Sequence, residues 1–134
     1  MNIVAIIQAR MGSSRLPGKV LRRVHGATVL ELVVNRLSRS ELVDNIVVAT
    51  TRENKDDELV DFLSAYDVMV YRGSTNDVLS RYYDAARESC ADVIVRVTAD
   101  CPLVDPDLVD KIITEFFASE LDYVSNTLEP SFPD

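Results

Sequence analysis

Two periodicities alternate along this chain. Apolar runs at Ile3 to Ala9, Ile46 to Thr50, Val68 to Tyr71, Val93 to Val97 and Tyr123 to Ser125 have strand length. Several carry apolar residues at successive positions, as strands covered on both faces do. The stretches between them repeat at helical spacing. Leu30, Val33, Val34 and Leu37 form one stripe behind Thr28, a residue suited to cap a helix. Leu59, Phe62 and Leu63 form a second behind Asp56 and Asp57, where the positive end of a helix dipole favours acids. Asn76 or Asp77 opens a third with Leu79, Tyr82, Tyr83 and Ala86. Asp105 followed by Pro106 is a start signal for a fourth, because proline is compatible with the first helical position; Ile112, Ile113, Phe116 and Phe117 supply its buried face.

Strand and helix thus alternate five times, which predicts a doubly wound α/β fold: a mostly parallel sheet with helices on both faces. The paired helix aromatics, Tyr82 with Tyr83 and Phe116 with Phe117, are expected in the core before they are read as ligand platforms. No repeat or low-complexity stretch interrupts the pattern, and 134 residues suit one domain.

Charge adds a feature that the hydrophobic pattern does not contain. The net charge is −8, yet the first thirty residues hold five positive charges and no negative one, which leaves −13 for the remainder. Arg10, Arg15, Lys19, Arg22 and Arg23 all precede Glu31, the first acid. A general nucleic-acid binder carries the opposite balance, so the local cluster points to a small anion and no nucleic-acid partner is expected. Cys90, Cys101 and His25 make neither a zinc spacing nor a disulfide framework, and Cys101 is expected to be a packing residue. The apolar run in MNIVAIIQAR is too short for a membrane span, and its basic residues follow it where a signal peptide has them before. The expectation is a reduced, cytoplasmic protein without membrane insertion.

The basic residues lie in one segment directly after the first strand, Gln8-Ala9-Arg10-Met11-Gly12-Ser13-Ser14-Arg15-Leu16-Pro17-Gly18-Lys19. Glycines permit backbone geometries that turn amide N–H groups outward, and such amides together with guanidinium and ammonium groups form a polyphosphate site. The segment is not a Walker A loop, because Gly12 and Gly18 enclose five residues and Lys19 is followed by Val20 instead of Ser or Thr. A metal ligand must therefore come from elsewhere. A surface loop with solvated arginines is the alternative, but the position, at a strand end of an open α/β sheet, is where ligands bind.

QARMGSSRLPGKVL, IVVATT, YRGSTNDVLSRYYDAA and VIVRVTADCPLVDPDLVD, in this order and spacing, closely resemble the spore-coat polysaccharide SpsF branch of the cytidylyltransferase family. Acylneuraminate and 3-deoxy-manno-octulosonate cytidylyltransferases are related. The resemblance runs through essentially the whole chain and implies a nucleotide-diphospho-sugar transferase fold of the GT-A type. It also implies an activity that joins CTP to an acidic sugar, giving a CMP-sugar and pyrophosphate, with Mg²⁺ as cofactor.

Residue by residue, the resemblance implies that backbone amides around Met11, Gly12, Ser13 and Ser14 hold the triphosphate, within a nucleotide-binding stretch from Gln8 and Ala9 onward. Arg10, Arg15 and Lys19 join them and neutralise the departing pyrophosphate. Asp100 matches the position that binds magnesium, a hard cation that takes carboxylate oxygen. Base and ribose are expected against the ends of the second and third strands, with Thr50, Gly73, Ser74, Asp77 and Arg81 in the nucleotide-binding set. Each has an ordinary alternative: Asp100 or Asp77 as a helix cap, Gly73 and Ser74 as a turn, Arg81 as a solvated helix residue. His25, followed by Gly26, reads as a turn residue, and no general base is identified.

Relatives in this family continue beyond the point matching Asp134, so the resemblance implies that residues 1–134 are the nucleotide-binding part of a single cytidylyltransferase domain, shortened at its C-terminus. The missing part would supply a second metal-binding aspartate, much of the sugar pocket and a homodimer contact. Two other classes stay open. Asp105-Pro106-Asp107 imitates the aspartate-x-aspartate metal signature of a GT-A glycosyltransferase, although proline makes it a helix start; a non-catalytic nucleotide-binding module is the other.

Overall fold

The computed structural model describes residues 1–127. In chain order the elements are β1 (Ile3–Gln8), a small hairpin of β2 (Arg23–Val24) and β3 (Ala27–Thr28), α1 (Val29–Leu37), β4 (Asn45–Thr51), α2 (Asp57–Leu63), β5 (Met69–Gly73), α3 (Val78–Glu88), β6 (Val93–Thr98) and α4 (Pro106–Ala118). Four parallel strands form the main sheet in the order β5-β4-β1-β6. β1 is central because it is apolar at every position from Ile3 to Ile7, and all five are buried. A strand covered on both faces and paired on both edges has no place for a polar side chain.

Helices cover both faces, as the alternation predicts. α1, α2 and α4 bring Leu30, Val33, Leu37, Leu59, Leu63, Val109 and Ile113 against Ala5, Ile7, Val48 and Val97. α3 lies on the other face, where Tyr82, Ala85 and Ala86 meet Val4, Ile6, Val47 and Ala49. Each fully buried leucine stabilises the fold by about 1.5–3 kcal/mol relative to exposure.

The local start signals work as chemistry suggests. Thr28 accepts from the Glu31 N–H while Glu31 accepts from the Thr28 N–H, both at 3.0 Å, a reciprocal capping box. His25 and Gly26 both have positive φ, 51° and 89°, and turn the β2–β3 hairpin. The Asp105 side chain accepts from the Asp107 N–H at 2.9 Å and caps α4 with Pro106 behind it. Asp105 is thereby committed to a helix start and not to a metal pair.

Two expectations fail. Tyr123 to Ser125 forms no strand, and Tyr123 is 75% exposed. A strand exists only where a neighbour takes its hydrogen bonds, and among the described residues none pairs with this segment. The aromatic pairs are not core pairs either. Tyr82 is buried, but Tyr83, one helical position round, is exposed beneath the Arg87 guanidinium; Phe117 is exposed and packs edge-on against Phe116. Leu79 is exposed for the same reason: a helix lying on a sheet buries one stripe.

Candidate functional site

The strand order creates the crevice. From β1 the chain moves to β4 on one side, and from β5 it crosses back to β6 on the other, so the connections diverge between β1 and β6. Ligands of open α/β sheets bind outside the carboxyl ends of strands at such a point. A cleft of about 270 Å³ opens here, lined by Gln8, Ala9, Arg10, Ser13, Ser14, Arg15 and Lys19 from the β1 side and by Thr98, Ala99 and Asp100 from β6. Three cationic side chains and one carboxylate face it. In an otherwise acidic protein, a cleft with this excess concentrates field lines toward an anion.

The loop after β1 is closed on itself. The Met11 carbonyl accepts from the Gly18 N–H at 2.8 Å and from the Ser13 N–H at 3.1 Å. Gly18 has φ of 70°, a left-handed conformation that glycine adopts without strain, and it leads into a 3-10 turn at Lys19–Leu21 whose Val20 is buried. At Gly12, whose φ is not left-handed, a Cβ would meet only Lys55, 2.6 Å from the Nζ of an exposed side chain that can move aside, so close approach does not require glycine there. The amides are not equally available. Met11 donates its N–H to Asp56 Oδ1 at 2.7 Å, whereas those of Gly12, Ser14 and Arg15 make no hydrogen bond to another described residue.

Asp100 follows β6 in a turn and caps no helix. Lys19 Nζ lies 3.0 Å from its Oδ2. That ammonium first, and the Thr98 hydroxyl second, hold the Asp100 carboxyl below its ordinary pKa. Cys101, beside it, is half-buried with its Sγ 3.2 Å from the Thr98 hydroxyl, in keeping with a packing role.

The residues expected to read the nucleoside form a second cluster at the end of β5, separated from β1 by β4 and apart from the cleft. Asp77 caps α3, accepting from the Ser80 N–H at 2.9 Å, and its own N–H donates to the Ser74 hydroxyl at 3.1 Å. Arg81 is fully buried and donates to the Ser74 carbonyl at 2.6 Å; its Nε and other terminal nitrogen have no partner among the described residues. Burial first, then the nearby charge of Arg10, push its pKa down. Arg81 is thus no solvated helix residue. A Cβ on Gly73 would sit 2.7 Å from Tyr71 Cε1 and 3.0 Å from Arg81 Cγ, so glycine is required by close approach. Thr50 does not join either cluster: its hydroxyl is buried without a partner among the described residues.

Asp56 reads in the sequence as an acid at a helix start. Its side chain makes no cap bond; it is fully buried, accepting from the Met11 N–H and from the Thr51 hydroxyl. Arg72 was also missed. It donates to the Thr51 and Glu53 carbonyls, both at 2.8 Å, and to Asp57 Oδ1 at 2.6 Å. The available signal was two successive acids at a helix start where one suffices.

A family model described as cytidylyltransferase matches residues 4–132. The chain is 40% identical over 126 residues to spore coat polysaccharide biosynthesis protein SpsF of Bacillus subtilis, covering 91% of this chain and 52% of that protein. It is 36% identical over 116 residues to the 3-deoxy-manno-octulosonate cytidylyltransferase of Pelobacter propionicus, covering 84% of this chain and 44% of that one. The structure of a cytidylyltransferase from Leptospira borgpetersenii superposes with a TM-score of 0.84 at 42% identity, over 90% of this chain and 50% of that chain. The chain spans about half the length of the curated relatives it matches. The cationic cleft at the point where the strand order diverges is therefore carried on a sequence matched nearly from end to end, and the chain belongs to the cytidylyltransferase family.

Proposed function

We propose that residues 1–134 are the nucleotide-binding part of a single cytidylyltransferase domain that joins CTP to an acidic sugar, giving a CMP-sugar and pyrophosphate for surface or spore-coat polysaccharide. The observation that carries this is the cleft itself, where Arg10, Arg15, Lys19 and Asp100 converge between β1 and β6. The names of the relatives support the substrate class, one a spore coat polysaccharide protein and the other acting on 3-deoxy-manno-octulosonate. A cytoplasmic setting belongs to this proposal; no described helix is long and apolar enough to cross a membrane.

In the proposed reaction the anomeric oxygen of the sugar attacks the α-phosphorus of CTP in line with the departing β-phosphoryl oxygen, and the hydroxyl proton is released as the new bond forms. Arg10, Arg15 and Lys19 hold the β- and γ-phosphates and take up the charge that appears on pyrophosphate. The free amides of Gly12, Ser14 and Arg15 add fixed donors. Asp100, ionised and half-exposed, fits a cation carried in with the nucleotide. Magnesium is held in such sites by one or two carboxylates plus phosphate oxygens, and among the described residues no cluster of three acidic, histidine or cysteine side chains offers a full cage. Bound there, magnesium would supply charge neutralisation at the phosphates.

A melting scan tests the reading. At a roughly hundredfold excess over its Kd, Mg-CTP should stabilise the chain by about 2.7 kcal/mol over the protein alone, and by more than Mg-ATP or Mg-GTP at the same concentration. Equal shifts for all three nucleotides would remove the cytidine assignment. Pyrophosphate release with CTP and 3-deoxy-manno-octulosonic, sialic or legionaminic acid, measured on a chain of the relatives' full length, identifies the sugar, whereas residues 1–134 alone should bind Mg-CTP without turnover.

A further inference from the structure

Asp56 is a fully buried carboxylate outside the cleft, and the proposed chemistry does not use it. Burying a carboxylate is costly unless its oxygens are hydrogen-bonded, so the partners it keeps are informative. Both come from functional segments. Oδ1 accepts from the Met11 N–H at 2.7 Å, and Met11 is the residue whose carbonyl closes the phosphate loop onto Gly18. Oδ2 accepts from the hydroxyl of Thr51, the last residue of β4, itself buried.

The segment that carries Asp56 is held firmly. Arg72 binds the carbonyls on either side of Arg52 and the carboxylate of Asp57, and the Arg52 N–H donates to the Gly73 carbonyl at 3.2 Å. Gly73 in turn packs on Arg81, which grips Ser74. Lys55, next to Asp56, lies across Gly12 from the outer side. The Asp56 charge also favours the buried guanidinium of Arg81, opposing the effect of Arg10. A continuous set of bonds therefore runs from the phosphate loop through Asp56 to the strand ends where the nucleoside is expected.

We propose that Asp56 is a positioning residue that fixes the phosphate loop relative to the nucleoside end of the sheet, so that a ligand carrying both a triphosphate and a nucleoside finds its two subsites at the correct separation. This rests on the nucleotide reading above. A ligand with only one of the two parts has no need of that spacing.

Calorimetric titration with Mg-CTP and with magnesium tripolyphosphate tests it. In wild type, CTP should bind more tightly than tripolyphosphate. Asp56→Ala should weaken CTP about tenfold and tripolyphosphate less than about threefold, because a flexible anion follows a displaced loop and a ligand held at both ends does not. Asp56→Asn keeps an acceptor for Met11 and a donor toward Thr51, and should stay within about threefold of wild type for CTP. Should Asp56→Ala not fold, Thr51→Val removes the hydroxyl that donates to Asp56 and accepts from the Glu53 N–H at 3.2 Å while leaving the Met11–Asp56 bond in place; CTP should weaken about threefold while tripolyphosphate is unchanged. Equal factors for both ligands, or unaltered CTP binding in Asp56→Ala or in Thr51→Val, overturns the positioning role alone. Wild-type CTP binding no tighter than tripolyphosphate overturns the nucleoside reading and the positioning role with it.

Discussion

Replacing Lys19 by methionine separates what this residue does for the fold from what it does for a ligand. Methionine keeps the length and removes the charge. Lys19 holds Asp100 at 3.0 Å, with side-chain exposures of 36% and 50%. Ion pairs this open contribute about 0.2–1 kcal/mol after solvent screening, so Tm should fall by less than about 5 °C. If it holds a triphosphate as proposed, the same ammonium should make a charge-assisted hydrogen bond of about 1.5–3 kcal/mol, which corresponds to about 10- to 150-fold in Kd. Asp100 should respond as well. Its lowered pKa means that the pair's contribution to stability is complete above the unfolded aspartate value of about 4 and is lost as pH falls through the lower folded value. In Lys19→Met, Asp100 should titrate closer to the ordinary aspartate range. Scanning calorimetry, titration with Mg-CTP and a carboxyl NMR titration give the three readouts. A Tm loss of about 10 °C with unchanged Mg-CTP affinity would refute the reasoning, because Lys19 would then serve the fold and not the ligand.

Asp100→Asn preserves shape and removes the charge that faces a cation, so the gain in CTP affinity on adding magnesium should shrink while metal-free binding holds or improves; titration with and without EDTA reads this. Gly73→Ala drives a Cβ to 2.7 Å from Tyr71 Cε1 and 3.0 Å from Arg81 Cγ, and overpacking of this kind costs about 1–3 kcal/mol, measurable as a lower urea midpoint. Thr28→Ala removes one half of the capping box of α1 and should destabilise by about 1 kcal/mol in the same assay without changing nucleotide affinity.

Much of the fold was legible because it follows from local rules. The continuous apolar run of β1 marked a strand covered on both faces, Asp105-Pro106 the start of α4, and Thr28 that of α1. The site's charged elements were legible for a similar reason: Arg10, Arg15 and Lys19 are close in sequence and stand at a strand end, so their convergence needs only one loop. Asp100 was singled out only through the family resemblance; the structure brings it to the same edge of the sheet because β6 runs parallel to β1.

What only the tertiary structure decided depends on residues far apart in sequence. Local pattern could not show that Tyr123 to Ser125 has no strand partner among the described residues, since pairing is a property of the neighbour and not of the segment. It could not show that Tyr83 and Phe117 face outward, because which helical stripe is buried depends on where the sheet lies. Nor could it separate Asp56 from Asp57: both suit a helix start, but one lies beneath the phosphate loop of Met11 and the other at the Arg72 guanidinium. By itself the sequence determined the strand–helix alternation and the cationic loop, because backbone preference and charge act over a few residues. Tertiary structure determined which polar groups are buried together, because that depends on distances between segments that no local spacing encodes.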